Sequence, residues 1–258
     1  MYIRTDLGDI YYEYVSGDVP IVFIHGAGCN STVFSSVVSC LGEGTPYLSL
    51  DLPLHGKSRG DLKSFLDSIN SVSDYGDFIL DLLKNLGIER FIVAGHSMGG
   101  AIVLDLLARN IPGILGGIVI SSGAQLSVNP LIFDGLKTDF EGTVRKISKW
   151  AIAKGSSDEI YNKVLGIFLS ADREVIYRDF LLCDKFDIRD RLKDIGVPTL
   201  VVVGSLDVMT PVSLSEKLSA SIKNSRLEVI DSKGHMLPIE AGEVLASLVS
   251  DYRREILA

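Results

Sequence analysis

The stretch "FIVAGHSMGGAIVLDLLARN", residues 91–110, places one serine between a short apolar run and an apolar segment of helix length. Its centre, "GHSMG" at residues 95–99, fits the pattern G-x-S-x-G. Between a strand and a helix this pattern forms a sharp turn that exposes the serine as a nucleophile. Glycines before and after the serine remove the β-carbons that would clash in such a turn. The pattern therefore predicts that Ser97 is a nucleophile on a strand–turn–helix unit.

Other short apolar runs recur along the chain, separated by segments of helix length. The predicted strands cover residues 9–15, 20–25, 46–51, 90–95, 117–122, 199–204 and 226–231, and the clearest helices between them cover 72–87 and 99–110. The first strand follows a turn at Gly8 and has the character of an antiparallel strand. Most of the others lack polar alternation, as expected of parallel strands covered on both faces. Alternating strands and helices predict an α/β fold with right-handed crossovers.

One region, residues 125–192, contains helical patterns and no convincing strand. The clearest helical patterns cover residues 141–155 and 157–170. The region is much longer than an ordinary connection, which favours a helical insertion over a pair of simple crossover helices. We predict a core made of residues 1–124 and 193–258, with residues 125–192 as a helical cap.

Composition excludes several classes of protein. The formal net charge of −8 argues against a nucleic-acid-binding protein, which would usually carry a basic surface. No apolar stretch reaches the length of a membrane span, and the N-terminus lacks the pattern of a secretory signal. Three widely spaced cysteines indicate neither a disulfide framework nor a zinc site. We expect a cytoplasmic protein with no metal and, because no dinucleotide-binding glycine pattern occurs, no cofactor.

A nucleophilic serine needs a base, and histidine is the usual one because its pKa lies near neutrality. The chain has four histidines. His25 and His55 lie in glycine turns and His96 adjoins the serine, so we predict structural roles for these three. His235 follows the last predicted strand, where loops form sites in open α/β sheets. His235 is therefore the predicted base.

The base needs an acid that orients it and stabilises its charged form. Asp207 follows the penultimate strand, and the chain order serine, aspartate, histidine is typical of this kind of site. An aspartate in a loop is more often a helix cap, but the strand before it ends in "SSGAQ" without a carboxylate. Asp184 and Asp187 fall in the helical region and Asp51 precedes the serine. Asp207 is the predicted acid.

Acyl transfer also needs two donors for a developing oxyanion. The backbone N–H of Met98, directly after the serine, is the first predicted donor. The second is expected in the glycine turn after the strand at residues 20–25. Ala27 N–H is the preferred choice, with Gly28 N–H as the alternative. Losing one such donor typically costs about 3–4 kcal/mol of transition-state stabilisation.

With these residues the chain resembles the α/β-hydrolase superfamily, in particular its capped, esterase-like branch. The resemblance rests on five blocks in the family's order: "HGAG" at 25, "DLPLHGKS" at 51, "GHSMGG" at 95, "VPTLVVVGSLDVMTP" at 197 and "GHMLPIE" at 234. It implies a mostly parallel eight-stranded sheet flanked by helices, with a helical cap inserted after the sixth strand. It also implies Ser97, Asp207 and His235 as catalytic triad, with Met98 and Ala27 as oxyanion-hole donors. Leu54 departs from the family, in which glycine is commoner at that position.

The predicted function is hydrolysis of a small-molecule carboxylic ester with a small to medium acyl chain, through an acyl-enzyme. The serine at position 97 sets aside the branches of the superfamily that use an aspartate nucleophile. The same triad would serve a lactonase, a monoacylglycerol lipase or a carbon–carbon bond hydrolase, so these alternatives remain open. A further alternative is a ligand-sensing receptor on a hydrolase scaffold.

Overall fold

The computed structural model describes residues 1–258 and contains one eight-stranded sheet. Its strands are β1 Tyr2–Thr5, β2 Gly8–Val15, β3 Ile21–Ile24, β4 Tyr47–Leu50, β5 Phe91–His96, β6 Ile114–Ile120, β7 Thr199–Gly204 and β8 Ser225–Ile230. Their order across the sheet is β1-β2-β4-β3-β5-β6-β7-β8. Only the β1–β2 and β2–β4 pairs are antiparallel, and the other pairs are parallel. The predicted mostly parallel, eight-stranded α/β sheet is confirmed.

Helices lie in the connections from β3 onwards and after β8. They are α1 Ser35–Ser39, α2 Leu62–Ser68, α3 Val72–Asn85, α4 Met98–Ala108, α5 Pro130–Thr138, α6 Phe140–Ala151, α7 Asp158–Leu169, α8 Arg173–Lys185, α9 Val212–Ser221, α10 Leu237–Glu240 and α11 Gly242–Leu257, with 3-10 helices at Ser31–Phe34 and Arg189–Asp194. α3 begins where the Ser71 side chain accepts from Asp74 N–H and the Asp74 carboxylate accepts in return from Ser71 N–H. Every residue of α4 is buried, so this helix has no polar face.

The region between β6 and β7 is helical, as its sequence predicts. It contains α5, α6, α7 and α8, and α6 and α7 correspond to the two patterns at residues 141–155 and 157–170. Buried residues of these four helices belong to the same apolar cluster as the strands of the sheet. The four helices therefore pack directly on the rest of the chain. The proposed boundary at residue 192 falls inside the 3-10 helix Arg189–Asp194.

Two details of the fold, strand β1 and the turn at Leu54, could not be read from apolar runs in the sequence. β1 has no fully buried residue and alternates between exposed and half-buried positions, so it carries no apolar run for a sequence pattern to detect. Leu54 has a φ of 64°, in the left-handed region that glycine adopts at least cost. The departure from the family's glycine thus keeps the turn and accepts local strain.

Four loops meet at one edge of the sheet, because the carboxyl ends of parallel strands point the same way. Ser97 directly follows β5, and the segment from His25 follows β3. Asp207 and His235 lie in the loops after β7 and β8. Sites in open α/β sheets form at this edge.

No helix of the structure combines the length and the apolar character needed to cross a membrane.

Candidate active site

Ser97 occupies a strained turn between β5 and α4. Its backbone has φ 55° and ψ −116°, and its N–H donates to the carbonyl oxygen of Ile120, 2.9 Å away. A β-carbon on Gly95 would lie 2.0 Å from the carbonyl oxygen of Gly99. One on Gly99 would lie 2.1 Å from the carbonyl oxygen of Ile24. The turn therefore needs glycine at both positions, and such strain is typical of functional sites.

His235 and Asp207 form a buried pair. His235 Nδ1 lies 2.9 Å from Asp207 Oδ2, and both side chains are almost wholly buried. Asp207 Oδ1 accepts from the N–H groups of Met209 and Thr210, and Asp207 Oδ2 also accepts from the Thr210 hydroxyl. Because a carboxylate only accepts, His235 Nδ1 donates and Nε2 is left as the basic nitrogen.

The environment of Asp207 favours its charged form. Burial alone would raise the pKa of Asp207, but the charge and hydrogen bond of His235, together with the bonds from Thr210, lower it below its ordinary value. Asp207 therefore stays ionised and can stabilise a positive charge on the imidazole ring.

Ser97 and His235 line the same small cavity, of about 20 Å³, although no hydrogen bond joins them. The cavity is lined by Gly26, Ala27, Cys29, His96, Ser97, Phe168, Phe180, Met209, His235 and Met236. Bonds between nucleophile and base are commonly longer without substrate and tighten in the complex. The structure thus brings Ser97, His235 and Ala27 to one space, with Asp207 behind the histidine.

The two candidate amides of the turn after β3 have different partners. Gly28 N–H donates to a carboxylate oxygen of Asp179 at 2.9 Å. Ala27 N–H forms no hydrogen bond within the protein, and Ala27 lines the cavity. Met98 is the first residue of α4, where N–H groups have no acceptor within the helix. Ala27 and Met98 are therefore the amides available to an oxyanion, and Gly28 is not.

Two of the other histidines are buried and neutral. His25 Nε2 accepts from Leu52 N–H at 3.0 Å, and burial lowers the pKa of His25 to about 3. His96 Nε2 donates to the carbonyl oxygen of His235 at 2.9 Å, and burial likewise lowers the pKa of His96 to about 3. Both bonds fit the structural roles predicted for these residues, although the His96 ring also lines the cavity.

Two buried carboxylates near the site were not found by sequence reasoning. Asp179 of α8 is fully buried and contacts the turn after β3 through Gly28. Glu240 of α10 accepts from the N–H groups of Ala153 and Gly234. The signal for Asp179 was a charged residue on the apolar face of a helix. Glu240 lies in a helix of four residues, which shows no such face.

An apolar groove adjoins the cavity. It has a volume of about 330 Å³ and is lined by Ser127, Val128, Asn129, Ile132, Trp150, Phe180, Val208 and Met209. Phe180 and Met209 belong to both the groove and the cavity. A larger cleft of about 690 Å³ lies between the β1–β2 turn and α2–α3 and contains none of the predicted site residues. The chemistry-bearing side chains therefore face the smaller, apolar space.

The cavity and the groove are not surrounded by a cluster of side chains that could bind a metal ion. The structure brings together no group of three or more His, Cys, Asp or Glu side chains that could hold a metal ion. All three cysteines are free. Cys29 lines the cavity, but burial raises its pKa to about 12, so it is present as a thiol and not as a nucleophilic thiolate.

Known proteins resemble the chain over nearly its whole length. A model of the alpha/beta hydrolase family matches residues 21–248. The hydrolase YugF of Bacillus subtilis is 24% identical, covering 95% of this chain and 94% of its own. A pimeloyl-[acyl-carrier protein] methyl ester esterase of Neisseria meningitidis is 25% identical, covering 92% of this chain and 77% of its own. The structure of a thermophilic esterase superposes with a TM-score of 0.85 at 30% identity, covering 99% of this chain and 97% of its own. The chain therefore belongs to the alpha/beta hydrolase family.

Proposed function

We propose that this hydrolase cleaves carboxylic esters with a small to medium acyl chain, with Ser97, His235 and Asp207 as catalytic triad. The observation that carries the proposal is that Ser97, on its strained turn, shares one cavity with the base of the His235–Asp207 pair and with the unbonded amide of Ala27. Nucleophile, base, acid and oxyanion donor are the four parts that acyl transfer requires.

In the first half-reaction, His235 Nε2 takes the hydroxyl proton as Ser97 Oγ attacks the ester carbonyl carbon. The carbonyl oxygen becomes an oxyanion that accepts from the N–H groups of Ala27 and Met98. When the tetrahedral intermediate collapses, the bond to the alcohol oxygen breaks and the alcohol leaves with the proton from His235. The product is an acyl group on Ser97.

The second half-reaction reverses these roles with water. His235 takes a proton from water as the water oxygen attacks the acyl carbon, and the same two amides hold the oxyanion. Collapse breaks the bond to Ser97 Oγ, which recovers its proton from His235 and releases the acid. Asp207 remains ionised throughout, because its lowered pKa keeps it a carboxylate beside the charged ring.

The apolar groove is the proposed binding place for the acyl chain. The cavity beside Ser97, at about 20 Å³, holds little more than the reacting atoms, whereas the groove of about 330 Å³ is mostly apolar. Phe180 and Met209 separate the two spaces, so a chain that enters through the groove displaces these side chains. In this proposal residues 125–192 form a cap, since α8 supplies Phe180. The similarity to a methyl ester esterase supports a small alcohol on the leaving side.

The experiment is a panel of p-nitrophenyl esters from acetate to decanoate, methyl esters of the corresponding acids, and lactones. We expect turnover of the esters and its loss, by at least about 10³-fold, in Ser97→Ala. Ser121→Ala is the matched control, because Ser121, like Ser97, is a serine at a strand end with a left-handed φ, here 47°. Ser121 is fully buried, and its variant should keep wild-type turnover.

Three results would contradict the proposal. Ester turnover that survives Ser97→Ala would exclude Ser97 as nucleophile. Turnover of lactones alone, with unreactive esters, would retain the triad and replace the substrate class. A fluorophosphonate that labels the wild type at Ser97 without any turnover on the panel would favour the receptor alternative.

A further inference from the structure

Helix α8 reaches the oxyanion loop, residues 25–29, through one fully buried carboxylate. Asp179 accepts from Gly28 N–H at 2.9 Å, and His55 Nε2 and the Tyr75 hydroxyl donate to it at 2.8 and 2.7 Å. Each of the four groups is buried, and Asp179 is 0% exposed. A buried carboxylate with three donors indicates a specific contact, because a buried charge is costly unless it is paired and hydrogen-bonded.

The same helix packs tightly on the loop beside this contact. A β-carbon on Gly28 would lie 2.4 Å from Ile176 Cδ1, one turn before Asp179 on α8, and Gly28 has a φ of 62°. The neighbouring positions Phe180 and Cys183 are also buried, which completes a helix face with spacing i, i+3, i+4 and i+7. Asp179 is therefore the one charged residue on an apolar face that covers the oxyanion loop.

Two adjacent peptide groups of the loop are held from opposite sides. The carbonyl oxygen of Gly26 accepts from Cys29 N–H at 3.1 Å and from His25 Nδ1 at 2.9 Å. Because a trans peptide directs its C=O and N–H in opposite directions, these bonds direct Ala27 N–H away from them, and Ala27 lines the cavity. The next peptide presents Gly28 N–H to Asp179. The Asp179 bond thus opposes rotation of the Ala27–Gly28 peptide, just as the bonds to the Gly26 oxygen oppose rotation of the Gly26–Ala27 peptide.

We propose that Asp179 is a positioning residue of the oxyanion hole, holding Gly28 N–H so that Ala27 N–H stays directed at the reacting carbonyl. This proposal rests on the function proposed above. It makes a residue of the helical region part of the catalytic arrangement, although Asp179 does not touch the substrate. His55 and Tyr75 complete the site by orienting the carboxylate.

The rival explanation is that Asp179 only fastens α8 to the core. The adjacent Arg178 provides a matched control for it. Its guanidinium donates to the carbonyl oxygens of Ile69 and Leu66 and to Asn70, on the side of α8 that faces α2 and not the oxyanion loop. Arg178→Ala removes a fastening of the same helix and leaves the loop's bonds intact.

The experiment compares wild type, Asp179→Ala, Asp179→Asn and Arg178→Ala with a p-nitrophenyl ester and with phenylboronic acid, whose boron forms a tetrahedral adduct with serine. Asp179→Ala should lower kcat about 100-fold, the effect of losing one oxyanion donor, with KM within about two-fold. Its affinity for the boronic acid should fall in parallel with kcat. Asp179→Asn keeps an oxygen for Gly28 N–H and should restore kcat to within about 10-fold of wild type. Arg178→Ala should lower the Tm and leave kcat unchanged.

Two outcomes would overturn the role of Asp179: a folded Asp179→Ala with wild-type kcat, or an equal loss of kcat in Arg178→Ala. Hydrogen exchange of the wild type tests the contact without any variant. The Gly28 amide should exchange at least about 100-fold more slowly than that of Gly44, an exposed glycine with no neighbour within 4 Å of its β-position. Equal rates would also overturn the proposal. A wild type that neither hydrolyses esters nor binds the boronic acid defeats the proposed function instead, and the exchange rates still decide the contact.

Discussion

The two sides of the candidate site are built in different ways. On the sheet side, the turn at Ser97 is shaped by backbone contacts among residues a few positions apart and by the neighbouring strand β3. On the helical side, buried side chains make the connections. Asp179 bonds to a residue 151 positions away, and Glu240 to one 87 positions away. The first side is specified by local sterics and the second by long-range packing, so the two should respond differently to substitution.

The largest expected effect is on the sheet side. Gly95→Ala and Gly99→Ala place a β-carbon 2.0 and 2.1 Å from backbone oxygens that cannot move aside. We expect each variant to lose about 3 kcal/mol or more of the free energy of unfolding, because overpacking against backbone cannot be relieved by a rotamer change. Denaturant unfolding monitored by circular dichroism measures the loss.

The matched control for these variants is Gly166→Ala in α7, where a β-carbon would meet nothing within 4 Å. It should stabilise the protein by up to about 1 kcal/mol, since alanine favours a helix interior over glycine. Wild-type stability in Gly95→Ala or Gly99→Ala would show that the turn tolerates side chains and is not set by these contacts.

A smaller effect is expected on the helical side at Glu240. Its Oε2 accepts from the N–H groups of Ala153 and Gly234, whereas its Oε1 has no partner. Glu240→Ala leaves two buried donors unpaired and should cost about 2–3 kcal/mol of the free energy of unfolding. Glu240→Gln keeps one accepting oxygen and should cost less than about 1 kcal/mol, because its amide nitrogen can take the place of the unpaired oxygen. Equal losses in the two variants would mean that charge, and not the accepted bonds, holds this contact.

The smallest expected effect is on the pH dependence of stability, to which the buried histidines contribute with different signs. Burial lowers the pKa of His25 and His96 from 6.5 to about 3, so the unfolded chain binds more protons than the native one below pH 6.5. Stability should therefore be full above that pH and fall as the pH drops, by about 1.4 kcal/mol for each of the two histidines between pH 7.5 and 5.5. Denaturant unfolding at the two pH values measures this.

His55 has the opposite sign and sharpens the test. Burial alone would lower its pKa, but Asp179 raises it above 6.5, so its contribution is present at low pH and is lost as the pH rises through the raised value. In Asp179→Asn this contribution disappears, and stability should fall more steeply towards pH 5.5 than in the wild type. A shallower fall would contradict the pairing of His55 with Asp179.

The predictable parts of the fold are those that adjacent residues specify. The strand runs and the helices α3, α4, α6 and α7 follow from apolar spacing, and the structure has them close to the predicted bounds. β1 was not predicted from an apolar run, because an edge strand with no buried residue needs none. The site candidates came from strand ends and chain order. Whether Ala27 N–H or Gly28 N–H is left without a partner could not be derived from the sequence, because it depends on which amide meets a carboxylate from a distant helix.

By itself the sequence determined the alternation of strands and helices, the glycine-flanked turn at Ser97 and the edge of the sheet where the loops gather, because backbone sterics and side-chain periodicity act between near neighbours. Only the tertiary structure decided that Asp207 meets His235, that Ala27 keeps a free amide, and that Asp179 and Glu240 connect helices to loops. Those contacts join residues far apart in the chain, and their energies arise only once burial has brought the partners together and removed water.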